Sequence, residues 1–80
     1  MPTVLRSRGY RFHFYSDETG ERPHVHVRRD DKMVKIWLDN LVVAVNYGFA
    51  QREVNVIRRE VDLRRAQLLE AWHAYFGQGR

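Results

Sequence analysis

Eighty residues carry 14 basic and 10 acidic side chains, for a net charge of +4, and contain no cysteine. That length predicts one domain near the lower limit for an unstapled core, and the lack of thiols excludes a disulfide framework and a thiolate zinc site. At 44% apolar residues the chain reads as globular, and without a membrane-length apolar run or a signal-like start it is expected in the cytoplasm, off the membrane.

Residues 4–8 read as a weak strand that Gly9 ends. Residues 10–15 alternate strongly and are aromatic, the pattern of a half-buried strand. A polar loop over residues 16–23 is rich in turn formers. Residues 24–29 form the next strand, with Asp30-Asp31 as a tight connection, and residues 33–38 the one after. Asp39-Asn40 is placed as a two-residue hairpin turn before a strand at residues 41–45, and Asn46-Tyr47-Gly48 ends the sheet. Connections this short predict an antiparallel meander. From Ala50 the apolar period lengthens to about three and a half: Val54, Ile57, Val61, Leu68, Trp72 and Tyr75. The seven-residue gap over Arg64 and Arg65 predicts two helices, about 50–61 and 64–76, bent near Asp62, with Gly77 and Gly79 as the stop.

The expected fold is therefore α+β: an antiparallel sheet of four to five strands over about residues 3–46, with one face covered by two C-terminal helices. Side chains alternate across a strand. Tyr10, Phe12, Phe14, Val25, Val27, Val34, Ile36, Leu38, Val43 and Val45 are expected under Ile57, Val61, Leu68, Leu69, Trp72 and Phe76. The opposite, exposed face then gathers Arg11, His13, Tyr15, His24, His26, Arg28, Lys35 and Trp37. A register slip of one residue would exchange the two faces.

Three kinds of chemistry suit such a face. His24 and His26, two apart on a strand, and His13 on its neighbour could hold zinc, nickel, iron or copper, with Asp17, Glu18 and Glu21 as nearby oxygen donors. A metal-free ribonuclease would use His24 and His26 as acid and base, with His13 and Tyr15 in support and Arg11 and Arg28 on phosphate. The paired His-X-Ser/Thr units of two-histidine phosphodiesterases are absent. A plain binding module would need only Arg11, Arg28 and Lys35 for the backbone and Trp37 for stacking, and would serve equally for an acidic protein partner. No glycine-rich phosphate loop and no Ser/His/Asp constellation occurs, and no cofactor is implied. His73, beside Trp72 at the end of the last helix, is assigned to helix capping.

Twelve of the 14 basic residues are arginine, whose planar fork suits phosphate or carboxylate. The segments Pro2-Thr3-Val4, Gly9-Tyr10-Arg11-Phe12, Phe14-Tyr15-Ser16, Pro23-His24-Val25-His26-Val27, Asn46-Tyr47-Gly48-Phe49 and Leu68-Leu69-Glu70-Ala71-Trp72-His73 follow one another in this order. In this the chain resembles the small bacterial proteins of domain of unknown function 4160, with Pro-His-Val-His-Val as the most distinctive mark. The resemblance implies a toxin-like component of a two-protein toxin–antitoxin module, with a cognate small antitoxin-like protein as partner; the His/Arg-rich face makes RNA or translation its expected target. It implies no settled enzymatic activity. The helices depart from the family pattern: Val54-Asn55-Val56 and Arg64-Arg65 stand where members tend to carry lysine and glutamate and, near the bend, asparagine. Those apolar residues, and the exposed sheet edges, leave room for a protein partner or a homodimer.

Overall fold

Five antiparallel strands follow one another in the sheet in the order they occur in the chain. In the computed structural model, which describes residues 3–15 and 20–77, they are β1 (Thr3–Ser7), β2 (Tyr10–His13), β3 (His24–Arg29), β4 (Lys32–Trp37) and β5 (Val43–Tyr47). Two helices follow, α1 (Gln51–Leu63) and α2 (Arg65–Phe76). The architecture is the expected α+β meander with C-terminal helices.

The turns explain the register. Arg8 and Gly9 both adopt positive φ, 54° and 83°, the backbone of a primed turn whose twist matches that of the flanking strands. Ser7 thereby faces Tyr10. Asp30 likewise takes a φ of 55° in the two-residue link between β3 and β4. The β4–β5 connection differs from expectation. It is no two-residue turn at Asp39-Asn40 but a wider loop, in which Leu41 takes a φ of 62° and donates its N–H to the Trp37 carbonyl at 2.9 Å. Asn40 Oδ1 accepts the Val42 N–H at 3.0 Å, so the strand starts at Val43 rather than at Leu41.

One face of the sheet is apolar and closed. Phe12, Val25, Val27, Val34, Ile36 and Leu38 are fully buried against Ile57, Val61 and Leu68, with Tyr10, Phe14, Phe49, Val54 and Trp72 completing the cluster. Val45, placed in this core by alternation, lies elsewhere. The register slips between Lys35 and Ile36, so Val43 faces Ile36 while Val45 faces Lys35. The irregularity turns the two valines to opposite faces, and only Val43 packs on the core.

The helices are anchored by polar contacts that helical periodicity does not announce. The Asn46 amide brackets Phe49, accepting its N–H at 3.1 Å and donating to its carbonyl at 2.9 Å, which stops the sheet one turn before α1. At the other end of α1 the Glu60 carboxylate is 5% exposed. It receives the Arg64 guanidinium at 2.7 Å, and Arg64 also donates to the Ser7 hydroxyl at 2.9 Å. The break between the helices is thus pinned to β1. It falls at Arg64, two residues after the expected Asp62.

Candidate functional site

Residues paired across an antiparallel ladder stand side by side on one face. The second face of the sheet is therefore ordered in rows. One runs across all five strands: Arg6, Arg11, Arg28, Met33 and Tyr47. The next holds His13, His26, Lys35 and Val45, and a third pairs His24 with Trp37. Every residue that alternation assigned to this face from β2 to β4 is there.

The expected openness of that face is not. His13 and His24 are fully buried and His26 is 5% exposed. The imidazoles cover one another and are covered by aromatic rings. His13 stacks on His26 with centroids 5.5 Å apart and planes 19° from parallel, and the Tyr15 ring meets His26 edge-on at 4.4 Å and His13 at 5.1 Å. His24 touches His26 at 5.2 Å, Trp37 at 5.5 Å and, from α2, Trp72 at 4.9 Å. Its Nδ1–H donates to the Arg22 carbonyl at 2.8 Å. Such ring pairs contribute about 0.5–1.5 kcal/mol each beyond burial.

Burial sets the charge state of His13. Neither ring nitrogen of His13 has a hydrogen-bond partner among the described residues. Its pKa is pushed down to about 4, first by loss of water and then by the neighbouring charges of His26, Arg11 and Arg28, which the Arg11 backbone opposes only weakly. His13 is therefore a neutral packing group at physiological pH. An imidazole works as a general acid or base within hydrogen-bond reach of the substrate proton, and here the Tyr15 and Trp37 rings pack against the three imidazoles. Among the described residues no group of three or more His, Cys, Asp or Glu side chains is arranged to hold a metal ion. Of the carboxylates considered with them, Glu21 lies 3.8 Å from His24 Nδ1, and Asp17 and Glu18 lie outside the described residues.

Lys35 and Trp37 are also occupied. The Trp37 ring is flanked by the Arg22 guanidinium at 4.5 Å and the Lys35 ammonium at 4.7 Å. Arg22 is in turn held by Asp39 in a two-pronged contact at 2.7 and 2.9 Å, and Lys35 by Glu21 at 3.2 Å. What stays uncommitted is the arginine end of the first row. Arg6, Arg11 and Arg28 have no carboxylate partner among the described residues, and the buried Nε of Arg11 has no hydrogen bond there. Like charges directly opposed across a ladder are destabilising, so this alignment is a cost to the folded sheet unless an anion sits on it.

Alternation alone could not find Arg6, because the strand holding it reads weakly. The Arg8-Gly9 turn is the signal that would have set it opposite Arg11. The three residues line a cleft of about 190 Å³ with Gly9, Arg29 and Asp30. Arg29 belongs to its wall. Its guanidinium donates to Glu53 at 2.8 Å and to the Arg8 carbonyl at 2.7 Å, and lies 4.1 Å over the Tyr10 ring. A Cβ on Gly9 would stand 3.2 Å from that guanidinium, so glycine here serves both the turn and the wall.

No helix among the described residues is long and apolar enough to cross a membrane. No curated protein and no solved structure matches the chain significantly. A protein-family model does, from the turn glycine beside the arginine row to the last turn of α2, taking in all three buried histidines together with Arg11 and Arg28. By that match over residues 9–73 the chain belongs to the family described as Domain of unknown function (DUF4160).

Proposed function

We propose that this protein binds single-stranded RNA across the second face of its sheet, and that this binding is how it acts as the toxin-like half of a two-protein module whose other half is a small antitoxin-like protein. The observation that carries the reading is the row Arg6, Arg11 and Arg28, aligned across three adjacent strands without carboxylates. Phosphate attracts guanidinium in forked, charge-assisted pairs, and release of counterions from the strand drives the association. Tyr47, 62% exposed at the far end of the same row, offers a ring for a base to stack on. The face binds; the covered imidazoles hold its shape, and the scheme assigns them no cleavage step.

The test is a salt titration of binding to an unstructured RNA, with wild type and an Arg11→Gln/Arg28→Gln variant. Wild-type affinity is expected to fall steeply with salt. The variant should show a log–log slope shallower by about 1.4, since each single-strand phosphate contact contributes about 0.7. Induced expression in a bacterial host should arrest growth for wild type and not for the variant. Equal slopes, or arrest by both proteins at matched soluble levels, would remove the arginine row from the function.

A further inference from the structure

Resting on that reading, the cleft itself points to a more specific ligand. We infer that the pocket formed by Arg6, Arg11 and Arg28 takes a terminal phosphate monoester, the phosphorylated end of an RNA strand, rather than an internal phosphodiester.

Charge decides between the two. A phosphodiester carries one negative charge, and a phosphate monoester between about 1.5 and 2 at neutral pH. Arg29 is neutralised by Glu53 at 2.8 Å. Three guanidiniums without a carboxylate partner among the described residues are then set against Asp30, the one acidic residue among those lining the cleft. The excess is two positive charges, which matches a monoester and exceeds a diester. A space of about 190 Å³ admits a phosphate group with part of a sugar.

The walls support an end-on approach. Gly9 and Asp30 belong to two hairpin turns at the same end of the sheet, so the cleft opens at the rim of the face rather than in its middle. A strand anchored there by its terminal phosphate would run along the row towards Met33 and Tyr47. Two strand spacings separate Arg28 from Tyr47, about 10 Å, a distance that places the first or second base over the tyrosine ring. Phosphate oxygens would relieve the repulsion between Arg11 and Arg28, which face each other directly.

The test compares one RNA oligonucleotide in three forms, 5′-phosphorylated, 3′-phosphorylated and with hydroxyls at both ends, by fluorescence anisotropy on wild type and on Arg6→Gln and Arg11→Gln. One phosphorylated form is expected to bind about tenfold more tightly than the hydroxyl form. That preference should vanish in Arg11→Gln and weaken in Arg6→Gln, whose exposed position makes it safe for folding. Competition by adenosine monophosphate and by inorganic phosphate separates a strand end from a free nucleotide as the source. Weak competition by either supports the RNA end, and displacement at equal concentration assigns the pocket to the free nucleotide and overturns the inference. If all three forms bind equally, the inference fails while the RNA-binding function stands. If no form binds, that function and this inference fail together, and phosphate or nucleotide binding lost in Arg11→Gln would show only that the cleft takes a free anion.

Discussion

Acidification from pH 7.5 to 4.5 is expected to cost the wild-type protein up to about 3 kcal/mol through His13 alone, and a His13→Leu variant is expected to escape that loss. The folded state keeps His13 neutral down to about pH 4, whereas the unfolded chain takes up its proton near 6.5. The unfolded state therefore binds more protons across that interval. Stability from this group is complete above pH 6.5, declines between 6.5 and 4, and falls no further once both states are protonated. At about 1.4 kcal/mol per pH unit the interval yields the stated magnitude. Leucine deletes a buried polar ring whose nitrogens are unbonded among the described residues, a replacement that is close to neutral or stabilising at pH 7. Urea unfolding of both proteins at pH 7.5 and 4.5 is the check. Other groups titrate in both chains, so the difference between them isolates His13. An identical fall in both would show that this imidazole is not protonated at the expense of the fold.

The second large effect lies at the junction of the helices. Glu60→Ala should cost about 3 kcal/mol, the penalty of stranding the partners of a buried ion pair. Arg64 would lose its 2.7 Å contact and Ser7 the acceptor 3.5 Å from its hydroxyl. Arg8, mostly exposed at 3.5 Å, adds little. In a domain of this size that corresponds to a melting temperature lower by roughly 12–24 °C. Replacing both members, Glu60→Leu with Arg64→Leu, should recover most of the loss, because an apolar pair needs no desolvation of charge. A thermal melt of the three variants decides it. If Glu60→Ala moves the melt by less than about 4 °C, roughly 1 kcal/mol, the carboxylate behaves as an ordinary surface charge.

These two residues also mark where sequence reasoning runs out. Alternation in Tyr10-Arg11-Phe12-His13-Phe14 separates the faces of β2 correctly, and the Val25/Val27 and Val34/Ile36 pairs do the same for their strands. The three-to-four spacing from Val54 to Trp72 yields both helices within two residues of their ends. Period, however, specifies direction and not cover. It sets His13, His24 and His26 on the face away from the helices without revealing that Tyr15, Trp37 and Trp72 close over them. Glu60 reads as a solvated helix residue because its partners, Ser7 and Arg64, lie 53 positions upstream and four downstream. Val45 is misplaced by a single irregularity between Lys35 and Ile36, which no local pattern announces. Arg6 was within reach, given the turn at Arg8-Gly9. The free arginine row becomes visible only when the carboxylates holding Arg22, Arg29 and Lys35 are located in space.

The meander has a kinetic corollary. Every strand pairs only with its neighbours in the chain, so each ladder closes a short loop and the sheet can zip up hairpin by hairpin, the topology of a quick folder. During synthesis the strands leave the ribosome before α1 and α2. The nascent sheet must then wait, with Phe12, Val27 and Ile36 bare, until Ile57, Val61, Leu68 and Trp72 arrive. At roughly 5–20 residues per second that wait lasts a few seconds, and in it the half-made protein is an adhesive apolar sheet, at its most open to aggregation or to capture by a chaperone.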